Sequence, residues 1–314
     1  MRRLTNLARQ AAPSDLPVLI TGETGTGKEV LARFIHNHSG RPRELFAPYN
    51  CTSMPADLVD AQLFGHRRGA FTGAHEHALG VVRSVDGGTL LLDEIGDIDP
   101  RVQPKLLRLI ESREVHPVGE SRPSIVDVRI LVTTNADLAQ RVKEQRFRKD
   151  LFYRLNIVHI HLPPLRERRR DVPPLVRYFL HLFATHYGRQ RLQMSGDAME
   201  ALMQYPWPGN VRQLVNEMHR LVVLAPGGTR ITTQRLPFLE HGDSTPEPPD
   251  VSRETVTLST DQPLATALEE VERALIVRAL DSVDGRVTAA ANRLGISLKT
   301  LRAKRRRLKI EPVP

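Results

Sequence analysis

The chain has 314 residues, 40% of them hydrophobic, which excludes a largely disordered protein and suits two domains with a tail. A single cysteine, Cys51, rules out an intrachain disulfide framework, and no stretch reaches the roughly 18 consecutive apolar residues of a membrane span. The formal charge of +9 is localised, because nine bases between Gly285 and Ile310 meet no acid there and the other 36 bases balance 36 acids.

Such a patch suits a polyphosphate partner such as DNA, or is a solvated basic tail. Met1-Arg2-Arg3 leads into polar sequence rather than an apolar segment, so no secretory signal is read and a cytoplasmic protein is expected. Over residues 1–165 apolar runs alternate with helical patterns, which predicts an α/β sheet layered with helices. Pro17 to Thr21 reads as a buried strand, followed by a glycine-rich turn and a helix from Lys28 to His38. Thr89 to Leu92 and Val128 to Thr133 read as further buried strands, and Asn156 to Leu162 as an alternating one.

Residues 166–238 change to helices alone, with apolar spacing of three and four over Val172–His186, Ser195–Tyr205 and Asn210–Leu224. Residues 239–263, poor in apolar side chains and rich in proline, read as a flexible linker. In residues 264–314, Leu264, Leu268, Val271, Leu275 and Ala279 share one helical face. A short helix over Val287–Arg293, a turn at Leu294-Gly295-Ile296 and a third helix capped by Ser297 complete a helix-turn-helix. Ala290, Ala291, Ile296 and Leu301 supply its small core.

The chemistry-bearing stretch is Gly22-Glu23-Thr24-Gly25-Thr26-Gly27-Lys28, between a strand and a helix. In that setting backbone N–H groups cradle phosphates while the lysine reaches the outer ones. Glu29 stands where a Ser or Thr hydroxyl normally touches magnesium, so the strict P-loop pattern fails at its last place. Asp93 and Glu94 follow an apolar strand, at the end where α/β sheets place ligands. Asp93 suits the magnesium shell and Glu94 the orientation or deprotonation of an attacking water. Gly69-Ala70-Phe71-Thr72-Gly73-Ala74 surrounds one aromatic and one hydroxyl with small residues; Phe71 is either buried beside the turns or presented to a partner. The spaced pairs His36/His38, His75/His77 and His159/His161 have no accompanying ligand cluster and read as surface histidines, so no structural metal is expected.

The stretches GETGTGKE, LFGHRRGAFTGA, GGTLLLDEIGD, FRKDLFYRLN, LPPLRER and WPGNVRQL, in this order, resemble the AAA+ domain of sigma-54-dependent transcriptional activators. The last segment, GRVTAAANRLGISLKTLRAKRRRLKI, is similar to their Fis-type helix-turn-helix. The resemblance implies an AAA+ P-loop parallel sheet, an α-helical lid subdomain and a C-terminal all-α DNA-binding domain. It implies an ATPase using ATP and Mg2+, assembled as a homo-oligomeric, hexameric ring. That ring remodels the sigma-54 RNA polymerase holoenzyme while tethered to upstream enhancer DNA.

The same resemblance implies roles residue by residue. Gly22 to Glu29 would hold the nucleotide, with Lys28 on the outer phosphates, Asp93 on magnesium and Glu94 on the water. Asn50 would be the switch asparagine that restrains Glu94, and Asn135 the first sensor. Arg148 and Arg154 would be arginine fingers reaching a neighbour's nucleotide, and Arg212 the second sensor. Phe71 and Thr72 would tip the loop that touches sigma-54, with the hairpin near His116 to Ser124 as the second pore loop. Ser297, Lys299, Thr300, Arg302 and Arg306 would face DNA. The chain departs from the usual pattern at Gln62, at Arg302 and at Arg305, the last two making the final helix more basic.

Overall fold

Runs of leucine, isoleucine and valine build a sheet whose three central strands are buried on both faces, as parallel sheets favour. In the computed structural model the described residues are 1–52, 56–70, 74, 76–120, 122–189, 192–224, 230–236, 273, 276–277, 279–280, 287–293, 298–308 and 310. The chain divides into two units, Met1–Asp243 and Ser244–Pro314.

In the first unit, five parallel strands are β1 (Val18–Thr21), β2 (Phe46–Asn50), β3 (Thr89–Asp93), β6 (Arg129–Thr134) and β7 (Val158–His161), in the order β2-β3-β6-β1-β7. Between β3 and β6 a short antiparallel hairpin pairs β4 (Glu114–Val115) with β5 (Ser124–Ile125). Side chains alternate between the sheet's faces with period two. Val18, Ile20, Leu91, Leu131 and Ile160 pack under α1 (Arg2–Ala11) and α2 (Lys28–Asn37). Leu19, Leu90, Leu92, Ile130 and Val132 pack on the other face with α3 (Ala56–Phe64), α5 (Gln103–Ser112) and α7 (Lys149–Leu155). The remaining short helices of this layer are α4 (Val81–Ser84) and α6 (Leu138–Lys143).

The strand expected over Asn156 to Leu162 is shorter, because α7 runs to Leu155 and Asn156 forms its C-cap. Strand β2 is absent from the sequence reading: Pro48 and a mixed burial pattern hide it, yet it pairs in register with β3 from Phe46–Thr89 to Asn50–Asp93. Proline is tolerated there because β2 lies at the sheet edge. The surface reading of the histidine pairs is corrected at His36, which is buried, with Nδ1 bonded to Thr89 Oγ1 at 2.9 Å and its pKa lowered chiefly by burial. At the far end of the sheet Arg129 is buried and donates to the carbonyls of Ala11 and Ala12, where α1 ends.

The helices α8 (Val172–His186), α9 (Gly196–Gln204) and α10 (Asn210–Leu224) follow, matching the helical spacing of the sequence closely. Ser195 caps α9 through its hydroxyl, which accepts from Ala198 N. Trp207 is buried among Leu165, Val176, Leu202, Leu214 and Met218 and donates from Nε1 to Leu202 O, so it anchors this layer. Among the described residues no helix is long and apolar enough to cross a membrane.

In the second unit, the helices Val287–Arg293 and Leu298–Arg307 share a small core of Ile276, Ala279, Leu280, Ala290, Ala291, Leu301 and Leu308. The expected linker 239–263, the face residues Leu264, Leu268, Val271 and Leu275, the turn 294–296 and Ser297 lie outside the described residues.

Candidate nucleotide site

The strand order places the C-terminal ends of β1, β3 and β6 side by side, with β2 beside β3, so that residues far apart in sequence meet at one edge of the sheet. There a cleft of about 660 Å³ is lined by Thr24, Gly25, Gly27, Lys28 and Glu29 from the glycine-rich loop. Asn50, Asp93, Glu94, Asp97 and Asn135 line it from the strand ends, and Val211, Arg212, Val215, Asn216 and Phe179 from the helical layer.

Gly22, Gly25 and Gly27 all have positive φ, which explains why the turn is written in glycine. A Cβ on Gly25 would run into Gly209 O and come within 3.1 Å of Arg212 Cβ, so backbone approaches backbone there. Lys28 is only 6% exposed; its Nζ donates to Gly22 O at 2.9 Å and forms an ion pair with Glu94 Oε1 at 3.3 Å. Glu29 points away from that pair, bonding Arg33 on the exposed side of α2.

Asp93 ends β3 and its Oδ1 accepts from Thr133 Oγ1 on the neighbouring strand. Glu94, the next residue, adopts a left-handed conformation with φ 52, which turns its carboxylate back over the strand ends. Its Oε2 accepts from the backbone N–H of Asn135 at 2.9 Å, and Asn135 Nδ2 donates to Thr24 Oγ1 at 3.1 Å. Asn50 lines the cleft, but its Oδ1 accepts from Thr52 N and Thr52 Oγ1. Cys51, next to it, is buried, and burial together with nearby Asp93 pushes its thiol pKa up, so it stays protonated. The arrangement offers a cation and glycine-rich backbone for phosphates and two carboxylates with distinct partners for metal and water.

The lid side contains residues that sequence reasoning missed. Asn210 is fully buried at φ 53 and donates from Nδ2 to Glu23 Oε2 and Thr24 O, both at 3.1 Å. Arg168 donates to Thr26 O at 2.7 Å, and Arg166 grips both oxygens of Glu23. Those bonds hold the Glu23 pKa at about 2, Arg166 contributing most and Asn210 assisting against desolvation. The stretches LRER and WPGN lie far along the chain from the glycine-rich loop, and only the fold brings them to it.

Other expected site residues lie elsewhere. Arg148 is the N-cap residue of α7, is half-exposed, and pairs with Asp150 at 2.7 Å. Arg154 pairs with Glu111 of α5 at 2.7 Å. Neither lines the cleft of its own chain. Of the six-residue GAFTGA stretch, Phe71, Thr72 and Gly73 lie outside the described residues. Its base is closed by Gly69 N donating to Ala74 O at 2.9 Å, and Gly119 sits so close that a Cβ there would meet Ala70 Cβ at 2.9 Å. Thr300, Arg302 and Arg306 are exposed on the last helix and Arg305 is half-buried, while Ser297 and the Lys299 side chain lie outside the described residues.

Residues 1–161 match the sigma-54 interaction domain family, residues 166–251 the AAA+ ATPase lid domain, and residues 267–308 the Fis family of bacterial regulatory proteins. The chain belongs to the sigma-54-dependent transcriptional regulators. It is 44% identical to transcriptional regulatory protein FlbD of Caulobacter vibrioides, covering 97% of this chain and 68% of that protein. It is 46% identical to ZraR of Klebsiella oxytoca, covering 97% of this chain and 66% of that protein. Among solved structures, NtrX from Brucella abortus in complex with ATP matches with a TM-score of 0.70 at 30% identity, over 99% of this chain and 68% of that one. The ADP complex of Hsp104 from S. cerevisiae, 14% identical with a TM-score of 0.51 over 73% of this chain and 46% of that one, shares the fold alone. This regulator therefore has an AAA+ activation domain with a parallel sheet and lid, and a Fis-type helix-turn-helix.

Proposed function

We propose that this regulator is an ATPase that couples hydrolysis in a homo-oligomeric, hexameric ring to remodelling of the sigma-54 RNA polymerase holoenzyme in the cytoplasm. The observation that carries the reading is the convergence of Lys28, Asp93, Glu94, Asn135 and Arg212 on one cleft. The backbone of residues 22–27, together with Lys28, binds the phosphates of ATP, and a Cβ at Gly25 would close part of that cradle. Asp93, held by Thr133, would hold Mg2+, which when bound would offset phosphate charge.

Glu94 takes the proton of the attacking water, or orients it, once its Oε1 is released from Lys28. Asn50, opposite Asp93 in register, is the switch that restrains Glu94. Asn135 ties the Glu94 carboxylate to Thr24 of the phosphate loop, which suits a sensor of the terminal phosphate. Arg212 senses it from the lid. Arg148 and Arg154 act on the neighbour's nucleotide, a contact class worth about 10³–10⁵ in rate.

Movement reaches the GAFTGA loop along a continuous path. Glu94 caps the short helical turn Ile95–Asp97, which leads into α5, and α5 feeds the β4–β5 hairpin region carrying Gly119 against Ala70. Phe71 and Thr72 at the loop tip press on sigma-54, and Ser297, Lys299, Thr300, Arg302 and Arg306 contact upstream DNA. The test measures ATP turnover and promoter opening for the wild type and for Thr72→Ala. The expected result is turnover in both and opening by the wild type alone. Opening retained by Thr72→Ala overturns the loop assignment, and absence of turnover at every protein concentration overturns the ATPase reading.

A further inference from the structure

Three successive carbonyls of the phosphate loop are gripped from the lid side. Asn210 Nδ2 donates to Thr24 O at 3.1 Å. The N–H groups of Val211 and Arg212 donate to Gly25 O at 2.9 and 3.3 Å. Arg168 Nη2 donates to Thr26 O at 2.7 Å. In a planar trans peptide the carbonyl and the N–H that follows it point in opposite directions. Holding the carbonyls of Thr24, Gly25 and Thr26 therefore aims the N–H groups of Gly25, Thr26 and Gly27 away from the gripping donors. Those are the groups a phosphate cradle is made of. Thr26 N–H also makes a long turn bond to Glu23 O at 3.4 Å.

Asn210 is built for this task. Its Oδ1 accepts from Leu165 N at 2.7 Å, which sets the amide so that Nδ2 faces Glu23 and Thr24. It is fully buried and stands behind the cleft wall formed by Thr24, Gly25, Val211 and Arg212. Its φ of 53 is one that Asn tolerates better than most residues. Mere packing of a lid against a sheet needs apolar side chains; here a buried amide and a half-buried guanidinium each place a donor on loop backbone.

We propose that Asn210, assisted by Arg168, is a positioning residue that registers the phosphate loop against the lid, so that lid movement changes nucleotide affinity through the loop. The inference rests on the nucleotide-binding reading of the cleft. Asn210→Asp keeps the acceptor for Leu165 N, tolerates the backbone conformation and removes both donations to the loop, but sets a second carboxylate against Glu23, whereas Arg168→Gln removes a donation without that repulsion. In the nucleotide-free protein, hydrogen exchange of the peptide spanning residues 210–214, whose Val211 and Arg212 N–H groups are held by Gly25 O, should speed up about tenfold. Dissociation of ADP and the KM for ATP should each rise about tenfold with kcat within twofold, because a binding determinant common to ground and transition states is weakened. Arg168→Gln should act in the same direction, and Arg168→Lys, which keeps one donor, should recover part of the loss.

Unchanged exchange of the Val211 and Arg212 amides in folded Asn210→Asp overturns the proposal without touching the nucleotide reading. So does a fall in kcat at unchanged KM, which is what a smaller folded fraction produces. If the wild type binds neither ADP nor ATP, the nucleotide reading falls, and the exchange measurement still decides whether the lid orders the loop. Should Asn210→Asp not fold, the Arg168→Gln and Arg168→Lys pair decides, and equal exchange and equal KM for those two and the wild type refute the clamp.

Discussion

Replacing Glu94 with glutamine isolates what its carboxylate does. The side chain keeps its length, and the amide oxygen can still accept from Asn135 N–H, which now lies 2.9 Å from Oε2. What disappears is the negative charge 3.3 Å from Lys28 Nζ and the ability to take a proton. Lys28 keeps its bond to Gly22 O, so the fold should tolerate the change with a loss of about 1 kcal/mol or less, the usual net value of one such bond. Lys28, no longer neutralised, should hold ATP at least as tightly as in the wild type. Loss of a general base typically removes about 10²–10⁴ in rate, or roughly 3–5 kcal/mol of transition-state stabilisation. The assay is phosphate release at saturating ATP, with nucleotide binding measured on the same sample by equilibrium dialysis. Turnover within threefold of wild type would refute the water-activating role. Loss of binding in parallel with turnover would show instead that Glu94 supports the cradle.

Gly25→Ala should be far less tolerated than an ordinary loop substitution, because the added Cβ meets Gly209 O and the residue sits at φ +79. An L side chain in that conformation costs roughly 1–2 kcal/mol before any clash, so ATP binding measured by titration should weaken at least about tenfold. Burial pulls the Arg129 pKa down to about 10. Arg129→Met leaves Ala12 O without the guanidinium donor it has now, so unfolding free energy should fall by roughly 1–3 kcal/mol in denaturant titration. Because the unfolded chain holds the guanidinium proton more tightly than the folded one, this group's contribution to stability rises with pH above about 10. For the helix-turn-helix, if about six bases meet phosphates, log affinity for DNA should fall against log salt with a slope near −5. A slope shallower than about −2 would assign the basic patch to solvent.

Some of this molecule is local and some is not. The buried strands at Val18–Thr21, Thr89–Asp93 and Arg129–Thr134 were legible because unbroken apolar runs have no other stable use in an α/β layer. Lys28, Asp93 and Glu94 were legible because a glycine-rich turn after a strand and a carboxylate pair after another are short-range patterns. Strand β2 was not, since Pro48 and partly exposed neighbours carry no period, and only pairing with β3 makes that segment a strand. His36 looked like a surface residue and is buried, because its ring finds Thr89 across 53 positions of chain.

Sequence by itself determined the periodicities, the turn chemistry and the charge at one end, each a property of neighbours within a few positions. Tertiary structure alone decided that Asn210 and Arg168 hold Thr24 and Thr26, and that Asn135 ties Glu94 to Thr24. The reason is that a hydrogen bond acts over about 3 Å, and no local pattern records which distant donors the sheet order brings within that reach.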